Sequence, residues 1–234
     1  MNLDIFQRTR LVAGEEMMHR LRATRVLVVG LGGVGSWCAE ALVRSGIGHM
    51  TIVDADTVAV SNINRQLPAL TTTIGEVKVD VLARRFMEIN PELDLCAIHD
   101  FYSPENADTY DLDSYDYVID AIDSVACKAE LILRATASSA RLFSSMGAAR
   151  KLHASKITTA EFWKVEGDPL ARALRQRFKR TERFPRRKFR CVYSPERIAQ
   201  PLTDPDGANG TFAHTTAIFG LNLAGLVIED LMAK

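Results

Sequence analysis

Hydrophobic and polar positions follow two rhythms along the chain. Residues 25–29 (RVLVV), 50–53, 93–98, 117–119 and 142–144 are short apolar runs rich in β-branched side chains, and they predict strands. Between them, residues 36–45, 78–90 and 124–138 place apolar side chains at helical spacing, the second segment ending at Pro91. Strands that alternate with helices predict an α/β fold built on a doubly wound, mostly parallel sheet. After Gly147 the pattern changes: residues 156–164 read as one further strand and RCVYS (190–194) is strand-like, which predicts an antiparallel C-terminal extension. The most apolar stretch, 211–228, includes His214 and Asn222 and runs into Glu229 and Asp230, so it predicts a buried C-terminal helix within 211–234 rather than a membrane span.

Charge adds a feature that hydropathy does not show. The 234 residues carry 29 Lys and Arg against 29 Asp and Glu, yet between Arg172 and Arg190 ten basic residues face only Glu182. That segment has a net charge of +9, which leaves −9 on the other 215 residues. A basic insertion, 168–190, thus rides on an acidic body and suggests a polyanionic partner; a solvated helix and loop is the plainer reading. The four cysteines (Cys38, Cys96, Cys127, Cys191) form no C-x-x-C pair, which argues against a zinc knot or a disulfide framework. A charged N-terminus, MNLDIFQRTR, is unlike a secretory signal, so a cytoplasmic chain without a membrane partner is expected.

Candidate chemistry begins directly after the first strand. Gly30-Leu31-Gly32-Gly33-Val34-Gly35 opens a helix, and such a turn lets phosphates approach backbone N–H groups at the positive end of the helix. Asp54, 19 residues past Gly35 at the end of the second strand, stands where a carboxylate accepts hydrogen bonds from ribose hydroxyls. NAD and ATP share both requirements. Asn62, Asn64-Arg65-Gln66 and Lys78 favour ATP, because attack at an α-phosphate builds charge on the bridging oxygen and on leaving pyrophosphate. Asp123, in the DAIDS turn (120–124) beyond another strand, projects at the carboxyl edge of the sheet, where a Mg²⁺ ligand is wanted.

GxGGxG, the run from Asp54 to Gln66 (DxDxVxxSNxxRQ), Lys78 and DxxDS together resemble the ThiF/MoeB/ubiquitin-activating superfamily of adenylating enzymes. The resemblance implies one Rossmann-like adenylating domain over 1–234, with a nucleotide-binding core at 25–150. It further implies ATP bound by Gly30, Gly32, Gly33, Gly35, Asp54, Ser61, Asn62, Arg65, Gln66, Lys78, Asp123 and Ser124. Arg8, Asn62, Arg65, Lys78 and Asp123 are then catalytic, with Asp123 serving Mg²⁺. Arg8 matches an arginine that in the superfamily reaches the triphosphate of a neighbouring subunit, which implies a homodimer; Arg10 is the weaker candidate.

Further stretches resemble one branch, the tRNA threonylcarbamoyladenosine dehydratases: Arg8-Thr9 with Gly14-Glu15-Glu16, FYSPENA (101–107), SSMGA (144–148), DPLA (168–171) and VYS (192–194). That branch implies adenylation of the threonylcarbamoyl carboxylate on adenosine 37 of tRNA and ring closure with loss of water, without an enzyme thiol. Cys127 and Cys191 are then expected to be inert. Arg175, Lys179, Arg180, Arg183, Arg186, Arg187 and Lys188 would bind the anticodon loop, with Phe178, Phe184 and Phe189 available to stack on bases or to pack inward. A monovalent cation (Na⁺ or K⁺) and a sulfur-relay partner are compatible with the resemblance. His214 is expected to be structural. Alternatives are adenylation of a ubiquitin-like or sulfur-carrier protein, an NAD-dependent oxidoreductase that leaves Arg65 and Lys78 unexplained, and a non-catalytic nucleotide-gated scaffold.

Overall fold

The computed structural model describes residues 4–197 and 209–233. Its elements in chain order are α1 (Gln7–Ala23), β1 (Arg25–Val29), α2 (Gly35–Ser45), β2 (His49–Val53), α3 (Lys78–Ile89), β3 (Asp94–Ile98), β4 (Tyr117–Asp120), α4 (Val125–Ala137), β5 (Arg141–Ser145), β6 (Thr158–Glu161), α5 (Pro169–Thr181), β7 (Arg190–Tyr193) and α6 (Ala213–Met232). They form one seven-stranded sheet in the order β3-β2-β1-β4-β5-β7-β6. All neighbours pair in parallel except β6 and β7. The expected doubly wound sheet is therefore present, and the antiparallel extension is the single edge strand β6.

Each central strand is buried on both faces, which is why β1, β2 and β4 read as near-continuous apolar runs. One face carries α1, α2, α3 and α6, whose Leu42, Phe86, Phe219 and Leu223 meet Val26, Val28 and Ile119. The other carries α4 and α5, whose Leu131, Ile132, Leu174 and Phe178 meet Leu27, Val118 and Leu142. By length and composition α6 could cross a membrane, with a mean hydropathy of 1.3, but its buried residues pack on α2 and the sheet. Gly220 makes that approach possible, because a Cβ there would lie 2.3 Å from the Val34 carbonyl oxygen. At its far end Tyr117 donates to Asp230 at 2.7 Å, and Arg141 also pairs with Asp230.

Two expectations change. The strand expected over 156–164 is confined to Thr158–Glu161, because the Glu161 carboxylate accepts the Trp163 N–H and turns residues Phe162–Lys164 into a short 3-10 helix. The basic insertion is a folded helix, α5, followed by a loop that leads into β7, and its helix is packed on one side and not solvated all round. Asp168 caps α5 by accepting the Ala171 N–H at 2.9 Å, Pro169 follows the cap, and Ala171, Leu174 and Phe178 form a buried stripe at helical spacing.

Candidate active site

The chain reverses its direction of winding between β1 and β4, and in such sheets ligands bind beyond the carboxyl ends of the strands at this switch. Val29 pairs with Val53 on one side and Asp120 on the other, so the loops after β1, β2 and β4 leave the sheet at one level. Gly30 takes φ +89°, and a Cβ there would meet the Ala121 carbonyl at 2.8 Å, so the first and third loops touch only because residue 30 lacks a side chain. Gly32 faces open space, its nearest neighbour being the Gln66 amide nitrogen at 3.8 Å from a constructed Cβ. No side chain caps α2, and among the described residues the Gly32, Gly33 and Val34 N–H groups have no partner. Open N–H groups at the start of a helix form a cradle that could receive an anion.

Asp54 ties two of these loops together. Its Oδ2 accepts the Leu31 N–H at 2.6 Å and its Oδ1 accepts the Asp56 N–H at 2.9 Å, leaving carboxylate lone pairs for a ribose. Lys78, the first residue of α3, is buried at 3% exposure and rests on Asp56 with Nζ to Oδ2 at 2.7 Å. Between them the 3-10 turn Val60–Asn62 positions the polar cluster. Ser61 is exposed, its carbonyl and the Asn64 side chain hold Arg65, and Asn62 spends its own oxygen on the Ala59 N–H. The Arg65 carbonyl accepts from the Trp37 indole on α2. Gln66 is buried with its Nε2 beside Gly32, and its Oε1 has no hydrogen-bond partner among the described residues. Gly30, Gly32, Gly33, Gly35, Asp54, Asn62, Arg65, Gln66 and Lys78 thus gather at one edge.

Asp123 is exposed in the loop between β4 and α4, followed by Ser124 in the cap position of α4. Its loop stands on a buried pair that the sequence reading missed. Lys128 and Asp120 are both fully buried and meet at 2.8 Å; Lys128 also donates to the Ile122 carbonyl, and the Ser144 hydroxyl donates to Asp120 at 2.7 Å. Lysine at the fourth position of a helix gave no sequence signal, since it reads as an ordinary surface charge. Thr216 was also missed: it packs against Gly33, while the Thr211 carbonyl accepts from Asn64. The polar start of α6 therefore forms one wall of the cradle.

Not every expected residue comes to this edge. Arg8 is exposed on the first turn of α1 and has no partner among the described residues, whereas Arg10 pairs with Asp4 and Glu15. Phe6, two residues before Arg8, packs by Gly46 at the opposite end of α2, roughly 16 Å of helix away from the cradle. His214 donates from Nε2 to the Leu152 carbonyl at 3.1 Å. Cys38, Cys127 and Cys191 are buried, and burial pushes the Cys38 and Cys191 thiols up; only Cys96, on β3, is exposed. Asp168, besides capping α5, accepts the Gly147 N–H at 3.1 Å, and burial pushes its carboxyl up.

In the basic segment the structure assigns internal partners to three of the seven expected RNA-binding residues. Arg183 forms a two-pronged pair with Glu130 on α4, Arg175 donates to the Phe162 and Val165 carbonyls, and Arg187 donates to the carbonyls of Ala135, Thr136, Ser138 and Ala140 at the end of α4. Lys179, Arg180, Arg186 and Lys188 point their charges to solvent. The expectation that Phe178 and Phe189 could stack on bases is corrected: both are buried, Phe189 stacked on Phe162 at 5.0 Å, because they belong to the apolar layer that packs α5 on α4 and the sheet. Phe184 stays half exposed.

The ThiF family profile matches residues 6–233. The tRNA threonylcarbamoyladenosine dehydratase of Haemophilus influenzae is 40% identical over 94% of this chain and 90% of its own length. The Escherichia coli enzyme of that name, TcdA, superposes in its AMP complex with a TM-score of 0.90 and 35% identity, over 100% of this chain and 97% of that one. Its ATP complex gives 0.87 and 36%, over 97% and 93%.

Proposed function

The chain belongs to the ThiF family, and from that premise we propose that it is an ATP-dependent enzyme that dehydrates N6-threonylcarbamoyladenosine at position 37 of tRNA through carboxylate adenylation. The observation that carries this reading is an anion cradle, a ribose-binding carboxylate and buried or loop-held cations converging at the sheet's switch point, with no exposed cysteine in the loops that form it. A route through an enzyme thioester would need such a thiol, whereas activation by AMP does not.

The open N–H groups at the start of α2 bind phosphate oxygens, Asp54 holds the ribose, and Asn62, Ser61 and Gln66 border the nucleotide. A substrate carboxylate oxygen attacks the α-phosphorus and pyrophosphate leaves. Arg65 and Lys78, the latter held against Asp56, stabilise the charge that develops. A nucleophile within the same threonylcarbamoyl side chain then attacks the activated carbonyl, loses its proton, and displaces AMP, which carries away the oxygen of the lost water. Among the described residues no group of three His, Cys, Asp or Glu could hold a metal, yet Mg²⁺ on a nucleotide takes one or two carboxylates and completes its shell with phosphate and water oxygens. Asp123, exposed above the buried Lys128–Asp120 pair, fits that need and would hold a Mg²⁺ that neutralises phosphate charge. No step needs a monovalent cation or a sulfur-relay protein.

Arg8 cannot easily reach its own cradle, and Leu11 and Val12 beside it are 74% and 87% exposed, an apolar edge that a second copy would cover. A homodimer in which Arg8 enters the partner's site accounts for both facts. Lys179, Arg180, Arg186 and Lys188 meet tRNA phosphates, and Arg175, Arg183 and Arg187 hold the segment in place for them. A cytoplasmic setting suits a tRNA substrate. The test is isotope exchange between pyrophosphate and ATP: it should require tRNA carrying open threonylcarbamoyladenosine. Exchange that depends instead on a small protein ending in Gly-Gly would replace this proposal with carrier-protein activation.

A further inference from the structure

Two large aromatic side chains meet on the surface where the basic segment borders the turn after β6. Trp163, in the 3-10 turn after β6, is 43% exposed and Phe184, just past α5, is 50% exposed; their ring centroids lie 6.4 Å apart with the planes tilted by 40°. Neither position is accidental. Trp163 leans edge-on against buried Phe162 at 5.1 Å, and Phe162 in turn packs on Phe178 and Phe189, so the visible pair is the outer rim of a buried aromatic cluster. Glu182, the C-cap of α5, adopts φ +52°, a left-handed conformation that a non-glycine residue takes at a cost, and it turns the chain toward Trp163.

The loop that follows is fastened on both sides of Phe184. Arg183 grips Glu130, the Arg186 N–H donates to the Thr136 hydroxyl, and Arg187 caps the end of α4. Pinning residues 183, 186 and 187 holds Phe184 outward in a fixed place, whereas hydrophobic burial alone would have turned it in. The charges around the pair match one kind of partner. Lys164 follows Trp163, Arg186 and Lys188 follow Phe184, and the last turn of α5 carries Lys179 and Arg180, all exposed. A duplex would engage the cations and leave two aromatic faces in water; unpaired bases use both.

We propose that Trp163 and Phe184 form a preorganised stacking platform for unpaired bases of the RNA substrate, flanked by the cations that hold its backbone. The proposal rests on the tRNA reading above and adds residues and a contact mode to it. The platform selects single-stranded bases; the cations supply sequence-independent attraction.

The test compares two variants for binding to a hairpin RNA with an open seven-base loop and to a fully paired RNA of equal length. Trp163→Leu/Phe184→Leu should weaken loop binding roughly tenfold or more while leaving duplex binding, ATP affinity, melting temperature and the salt slope unchanged. Trp163→Phe/Phe184→Tyr should restore loop binding, which a merely structural role for bulk at these sites would not separate from the leucine pair. Loop RNA should also quench tryptophan emission in the wild type but not in Trp163→Phe. Loop binding by the leucine variant at wild-type strength, or equal loss on loop and duplex, would overturn the platform. Neutralising Lys179, Arg180, Arg186 and Lys188 keeps the two failures apart: if that variant loses affinity and salt dependence while the leucine pair does not, the tRNA surface stands and the platform falls. If it too binds normally, the surface and the platform fall together.

Discussion

At the scale of single residues, Asp54 and Asp123 look alike in sequence, each a carboxylate just past a strand, but their surroundings give them different liabilities. Asp54 accepts two backbone N–H groups and sutures the loops after β1 and β2, so it holds the cradle together even without a nucleotide. Asp54→Ala should therefore lower stability by about 1–3 kcal/mol and abolish ATP binding together, as thermal melting and nucleotide titration would show. Asp123 has no such internal duty. Asp123→Ala should leave the melting temperature unchanged and tRNA affinity within a few-fold, yet reduce turnover by roughly a hundredfold or more. Equal losses in melting and turnover for both variants would refute the division. The sequence could single out both acids because their positions follow from strand ends. It could not single out Lys128 or Thr216, since their partners lie 8 and 183 residues distant.

At the scale of elements, β1, its glycine turn and α2 were readable because period and turn chemistry are both local. The helix α1 was not: its apolar stripe is short, with only Met17, Met18 and Leu21 buried, and Gly14 at φ +78° interrupts it. In the basic segment, ten charges masked the Ala171-Leu174-Phe178 stripe that packs α5 on α4. Its folding depends on a few arginines used as braces. Arg187→Ala would leave the terminal carbonyls of α4 without their donors and should lower the melting temperature by several degrees, about 1–3 kcal/mol. Lys188→Ala, one residue along and exposed, should leave melting unchanged and weaken tRNA binding with a shallower salt slope. Glu130 and Glu40 brace in the opposite sense. Burial pushes both carboxyls up, but the bonds and charges of Arg183 and Arg134 on Glu130, and of Arg85 and Arg44 on Glu40, more than offset it and hold both below their ordinary value of 4.5. Carboxyls lowered by folding stabilise the protein fully above pH 4.5 and lose that contribution as pH falls through their depressed values. Melting temperature should thus drop below pH 4.5, and Glu40→Gln and Glu130→Gln should start lower at neutral pH and show a shallower acid limb.

At the scale of the whole molecule, a neutral chain divides into an acidic body that carries the nucleotide cradle and a basic helix that lies on the far side of the sheet with α4. Under the proposed function this division separates chemistry from RNA capture, and Arg8 is the one proposed cation that its own chain leaves exposed and without a partner among the described residues. Mixing inactive Arg8→Ala with inactive Lys78→Ala should restore up to about a quarter of wild-type turnover, because random pairing gives half heterodimers, each with one intact site. Verified heterodimers without recovery would contradict the shared site. These expectations all presuppose the reaction itself. The most direct measurement is incubation of the purified protein with ATP, Mg²⁺ and tRNA bearing open threonylcarbamoyladenosine, followed by mass spectrometry of the released nucleosides. The account predicts loss of one water from that nucleoside only when ATP is present; an unchanged nucleoside with enzyme that binds ATP and tRNA would contradict it.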